Sequence, residues 1–227
     1  MLETVPTLLF AILGGFLPAV LWLLFWLRED RRCPEPRGLL LFAFVTGMLV
    51  VPLVIFPQKF VAGFFSGTLL FVVWAALEEI FKFAIAYFLI LRRKAVNEPI
   101  DAMIYLITVA LGFAAVENVL FLFHPFSTGD FIGALLTGNL RFFGATLVHV
   151  LSSATIGALL AFAYYKSKVR KEVYGFIGLI LAIVLHGLFN FLIIESSGEN
   201  IFIVFFGVWI GIIILLLLFE RVKRIRR

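Results

Sequence analysis

Two adjacent carboxylates and an ammonium, Glu78-Glu79-x-x-Lys82, stand inside a run that is otherwise apolar from Phe60 to Leu91. Three further polar groups interrupt later apolar runs: Glu117-Asn118, His149 followed by Ser152-Ser153, and His186-x-x-x-Asn190. Carboxylate and imidazole together meet the needs of peptide hydrolysis. One group takes a proton from water; others stabilise an oxyanion and return a proton to the leaving amine. His186 and Asn190, one helical turn apart, can donate hydrogen bonds to such an oxyanion. No serine has a nucleophile setting and Cys33 falls in a charged loop, so covalent catalysis is not expected. The same set suits a divalent metal such as zinc, with Glu78, Glu117, His149 and His186 as carboxylate and imidazole ligands. There is no H-E-x-x-H helix, so a standard zincin site is excluded. A metal-activated and a carboxylate-activated water both fit these residues.

The elements that must position these groups are membrane helices. Of 227 residues 63% are hydrophobic, 15% are charged and 28 are Phe. Apolar runs recur at lengths that cross a hydrocarbon core of roughly 30 Å. The expected fold class is all-α, a polytopic transmembrane bundle forming a single domain over residues 1–227, with a catalytic core at about 60–195. Seven spans fit: 7–27, 39–57, 60–91, 100–123, 142–165, 173–195 and 200–220. The third is long and leaves room for an interfacial turn near Gly63 and Gly67. The stretch "HPFSTGDFIGALLTGNL" reads as a loop followed by a short interfacial helix. The first run is too long for a signal-peptide core and has no basic region before it, so it reads as a retained span.

Sixteen of the nineteen Lys and Arg fall in the segments 28–37, 92–94, 166–171 and 221–227. With seven spans all four segments share one side. That side is cytoplasmic, which puts the amino terminus outside and the carboxyl terminus inside. The net charge of +5 therefore belongs to membrane-flanking loops and is not a nucleic-acid footprint. Cys33 has no partner for an internal disulfide. Gly63-x-x-x-Gly67 and Gly207-x-x-x-Gly211 read as helix-packing spacings.

Depth within the bilayer ties the polar groups together. At ~1.5 Å per residue, Glu78 and His186 lie roughly 20 Å from the cytoplasmic ends of their helices, Glu117 about 25 Å and His149 about 24 Å. Four helices thus deliver an acid or an imidazole to one level, beyond the midplane toward the outside. Ionised groups at such depth are costly unless they face one another or a hydrated cavity. Each has a plain alternative taken singly. Glu79 with Lys82 suits an internal ion pair, and a lone intramembrane histidine suits an interhelix contact. Asn118, Ser153 and Arg141 read as supporting residues, with Arg141 an interfacial anchor or carboxylate partner. Asp101 reads as a helix cap following "NEP". The joint placement points to a functional site. A proton- or ion-coupled transporter is the rival class, although no inverted repeats are detectable.

"EEIFK", "GFAAVEN", His149 within "HVLSSATIG" and "HGLFNF" occur in an order that resembles the PrsW family. These are multi-spanning bacterial and archaeal intramembrane proteases, distantly related to the CAAX prenyl protease and Abi superfamily. The resemblance covers about residues 70–195. It implies a plasma-membrane peptidase that cuts a single-span membrane protein, such as an anti-sigma factor, near its extracytoplasmic boundary. It also implies that Glu78 and Glu79 are the essential acid pair, with Lys82 holding one of them, and that His186 and Asn190 support the oxyanion. Glu117 occupies the place where CAAX-type relatives carry a histidine, and the first motif is EExxK rather than EExxxR. His149 then supplies the missing imidazole.

Overall fold

The computed structural model describes residues 4–30, 33–195 and 201–225. Arg31, Arg32, Arg226 and Arg227 of the basic segments, and the expected start of the last span at Asn200, lie outside these residues. The described residues form eight helices: α1 (Thr4–Trp26), α2 (Arg37–Val61), α3 (Gly67–Ala86), α4 (Asp101–Ser127), α5 (Phe131–Leu140), α6 (Thr146–Phe162), α7 (Lys168–Glu195) and α8 (Ile201–Val222). The architecture is an all-α polytopic membrane bundle.

Among the described residues six helical stretches are long and apolar enough to cross a membrane: Pro6–Asp30, Arg37–Val61, Asp101–Ser127, Phe131–Phe162, Lys168–Ile194 and Ile201–Val222. Helix α3 has the length, continuing through the π turn Tyr87–Leu91, but carries Glu78, Glu79 and Lys82 in its middle. Outward faces of the bundle present bare apolar side chains such as Phe56, Phe176 and Phe202, which only lipid accommodates without cost.

Helix α4 is the axis. From Asp101 to Ala115 every one of its residues is buried, because α1, α2 and α6 pack around it. Glycine makes the closest approach possible: a Cβ at Gly47 of α2 would strike the carbonyl oxygen of Val109, and one at Gly112 of α4 that of Phe44. The two spacings singled out in the sequence do different work. Gly67 has φ +57° at the start of α3 and no neighbour within 4 Å, so it serves the turn between α2 and α3. Gly207 is also open, whereas Gly211 packs on Leu151.

Three boundaries differ from expectation. The turn allowed for near Gly63 and Gly67 is present, but the boundary at residue 60 is not, since α2 runs on to Val61 and α3 begins only at Gly67. The expected loop after His124 is shorter, because α4 continues to Ser127. Helix α5, capped by Asp130 Oδ1 accepting from Gly133 N at 2.8 Å, is not a separate interfacial piece. It passes through a π turn, Arg141–Ala145, directly into α6. Trp22 Nε1 donates to the carbonyl of Phe142 within that turn at 3.2 Å, satisfying a group that a widened turn presents to its neighbours. Asp101 also departs from expectation. It caps no helix of its own; its Oδ2 accepts the backbone N–H groups of Asn97 and Glu98, at 2.7 and 2.8 Å.

Candidate active site

The four helices α3, α4, α6 and α7 bring their polar side chains into one connected cluster. On α3, Glu78, Glu79 and Lys82 are all buried. Lys82 Nζ donates to Glu79 Oε1 at 2.6 Å, and His186 Nδ1 of α7 lies 2.8 Å from the same oxygen. Lys82 Nζ also reaches His149 Nδ1 on α6 at 3.1 Å. The other nitrogen of that ring, Nε2, is 2.9 Å from Glu117 Oε2 on α4. Glu117 Oε2 accepts in turn from Arg141 Nη2, and Asn118 Oδ1 accepts from Arg141 Nε. Asn118 Nδ2 closes the series by donating to Thr146 Oγ1 at 3.1 Å.

This continuity answers the sequence expectation of a common depth. His149 and His186 meet edge to face, with ring centroids 4.7 Å apart, and Phe113 covers both His149 and the Lys82 ammonium. The internal ion pair expected of Glu79 with Lys82 is present, and Glu78 is left for other partners. Arg141 enters as the carboxylate partner of Glu117 and lies over the Phe121 ring at 4.0 Å. Asn118 holds Arg141 rather than touching the cavity. Ser153, one turn along α6 from His149, is buried and makes none of these contacts.

A cavity of about 450 Å³ opens beside the cluster. Its polar wall includes Gln58, Glu78, Glu117, His149, His186 and Asn190, with Arg141 and Thr137 beside them; Phe121, Leu140, Phe189 and Phe205 are among its apolar residues. Glu79 and Lys82 do not line it. Gln58 is a residue that the sequence reading missed. Its Nε2 donates to Glu78 Oε1 at 2.9 Å, while its backbone carbonyl accepts from Trp74 Nε1 at 3.1 Å.

The arrangement fits a cation. Carboxylate and imidazole atoms of Glu78, His149 and His186 lie within 4.8 Å of one another. Glu78 Oε2 is buried without a hydrogen-bond partner, and His186 Nε2 stands 3.8 Å from it. Since Glu79, which an adjacent ammonium keeps as an acceptor, accepts a hydrogen bond from His186 Nδ1–H, Nε2 presents its lone pair. A carboxylate behind a ligating histidine is the usual way a metal ligand is oriented. Glu117, expected among the ligands, lies outside this group of three; its Oε2 is engaged by Arg141 and His149.

Comparison with known proteins places the chain in a family. The profile of the family described as PrsW family intramembrane metalloprotease matches residues 35–218. The chain is 26% identical over 223 residues to Protease PrsW of Geobacillus kaustophilus, covering 95% of this chain and 91% of the relative. It is 29% identical over 179 residues to Protease PrsW of Clostridioides difficile, covering 75% and 74%. Identity to Protease PrsW of Bacillus subtilis is 26% over 212 residues, covering 90% and 94%. No solved structure matches the chain.

Proposed function

We propose a role for each group of the cluster, since the chain belongs to the PrsW family of intramembrane proteases and is a multi-pass membrane protease. The substrate is a single-span membrane protein, and by the resemblance noted above an anti-sigma factor. Support comes from the cavity: its polar wall is flanked by Phe121, Leu140, Phe189 and Phe205, which suits the apolar segment of a membrane-embedded chain. The bundle crosses seven times with α3 as a span, α5 and α6 as one, and the basic loops on the cytoplasmic side. Cleavage then falls toward the extracytoplasmic boundary.

Glu78 and His186 hold a divalent cation, zinc being suited to carboxylate and imidazole ligands, while His149, whose Nδ1 accepts from Lys82 and whose Nε2–H points at Glu117, stands beside it as a hydrogen-bond donor. Such an ion supplies Lewis-acid polarisation of water and of a carbonyl. Glu117 is the cavity carboxylate left to accept the proton of the attacking water, with Arg141 fixing its direction. Asn190, one turn beyond His186 on the cavity wall, donates to the developing oxyanion. Glu79 and Lys82 orient the two imidazoles from behind. The carrying observation is the convergence of two carboxylates and two imidazoles, from four helices, on one cavity.

The test uses the purified chain in liposomes with a single-span substrate. Cleavage that a chelator stops and zinc restores is the expected result. Absence of cleavage after metal is restored, or cleavage indifferent to the chelator, contradicts the assignment.

A further inference from the structure

At the opposite end of the bundle, a second cavity of about 520 Å³ lies between the π-helical end of α3, α6 and the start of α7. Its walls are apolar, with Phe83, Tyr87, Leu160, Phe176 and Leu179 among them, and its mouth carries Arg92, Lys168 and Lys171. One acid, Glu172, stands among the cations, 3.9 Å from Lys168. The mouth therefore keeps a surplus of positive charge. Lys171 Nζ is held over the Tyr164 ring, 5.1 Å from its centroid. Arg93 turns elsewhere, with its Nε on the carbonyl of Leu89 and its guanidinium over Phe42.

From Lys168 to Leu179 the slot follows α7 for eleven residues, roughly 16 Å of helix. That is about half of a hydrocarbon core of ~30 Å, or one leaflet. Phe176 on its flank is 64% exposed, so the slot is not sealed from the surrounding lipid. At its inner side Gly175 keeps the space open, for a Cβ there would come within 3.3 Å of Leu160 and 3.5 Å of Phe83. Two features make this a ligand site rather than loose packing. Apolar walls run for the length of an acyl chain, and three cations sit where a headgroup would lie. Its volume also falls in the range of roughly 300–1,000 Å³ typical of small-molecule sites.

We propose that this slot binds an anionic phospholipid of the leaflet at the basic end of the bundle, with one acyl chain between α3 and α7 and the phosphate against Arg92, Lys168 and Lys171. Basic pockets between spanning helices recognise such headgroups by charge. The occupied slot separates the same two helices that meet one to two turns away, where Glu79 and His186 are 2.8 Å apart. The lipid thereby braces the α3–α7 pair. Binding does not depend on the hydrolytic reading above; only the identity of the leaflet follows from the proposed orientation.

The experiment reads lipid retention by native mass spectrometry, on the full chain taken from nanodiscs of mixed phosphatidylcholine and phosphatidylglycerol. Wild type retains phosphatidylglycerol in preference. The triple variant Arg92→Gln, Lys168→Gln, Lys171→Gln, whose changes are all at exposed side chains, lowers that preference roughly tenfold. Gly175→Leu, which leaves every charge in place, lowers retention of both lipids. Equal retention of the two lipids by wild type overturns the proposal. So does retention unchanged in either variant, or displacement of the lipid by soluble glycerol phosphate, which would mark a site for free anions.

Discussion

Lys82 Nζ lies 3.1 Å from Nδ1 of His149, and an ammonium can only donate. Nδ1 is therefore the acceptor, and the ring proton sits on Nε2, where it points at Glu117 Oε2. A residue buried in α3 thus sets the tautomer of an imidazole on α6, while its remaining reach is spent on Glu79.

Replacing Lys82 by Met leaves the Glu79 carboxylate buried with only His186 to answer it. Breaking a buried pair on one side costs about 3–5 kcal/mol, so Lys82→Met unfolds at markedly lower denaturant in a detergent unfolding titration. The double variant Glu79→Gln, Lys82→Met removes both charges and recovers most of that stability. It does not recover proteolysis, because both imidazoles have lost their orienting partners. Full activity in the double variant would contradict the orienting role.

Gln58 bonds Glu78 from outside the motifs. A residue that orients a metal or catalytic ligand contributes about 10–100-fold in affinity or rate. Gln58→Leu keeps the side-chain bulk and is expected to lower the cleavage rate within that range while leaving unfolding nearly unchanged. A fall in stability matching the fall in rate would reduce Gln58 to a packing residue.

Why Gln58 escaped the sequence reading is physical. Pro57-Gln58-Lys59 has the composition of a helix exit, yet Pro57 is inside α2, which runs on to Val61. One further turn of helix carries Gln58 into the site. The acids and imidazoles were legible because their types are costly in lipid and their helices are regular enough for depth to be counted. The pairing of Lys82 with Glu79 was legible too, as an i,i+3 pair on one helix, whereas the second hydrogen bond to Glu79, from His186, comes from another segment and was not. Arg141 was legible as a carboxylate partner by type only. The π turn that joins α5 to α6 leaves no composition signal in "RFFGA", and it sits where Arg141 meets Glu117. Helix order and class followed from hydropathy alone. The glycines that let α2 and α4 touch were hidden, because backbone approach depends on the facing helix.

Beyond the membrane core, Glu35 is buried in the loop before α2 and accepts from the Tyr105 hydroxyl. Burial, more than any neighbour, raises its pKa from 4.5 to about 8, and Asp101 and Asp30 push the same way. The folded state therefore holds a proton that the unfolded chain has released. Its stabilising contribution is fully present below pH 4.5 and is lost as pH rises through about 8. Thermal unfolding followed across that window should show stability declining with pH in wild type, and a flatter profile in Glu35→Gln. A steeper decline in Glu35→Gln would contradict the protonated state.

The central claim is that side chains from α3, α4, α6 and α7 act as one hydrolytic site. Its most direct test is the single-turnover cleavage rate of a single-span substrate in liposomes, measured for wild type and for Glu78→Gln, Glu117→Gln, His149→Ala, His186→Ala and Ser153→Ala. Losses of roughly a hundredfold or more are expected for the first four, with Ser153→Ala within a few-fold of wild type. Undiminished cleavage by Glu78→Gln or His186→Ala would contradict it.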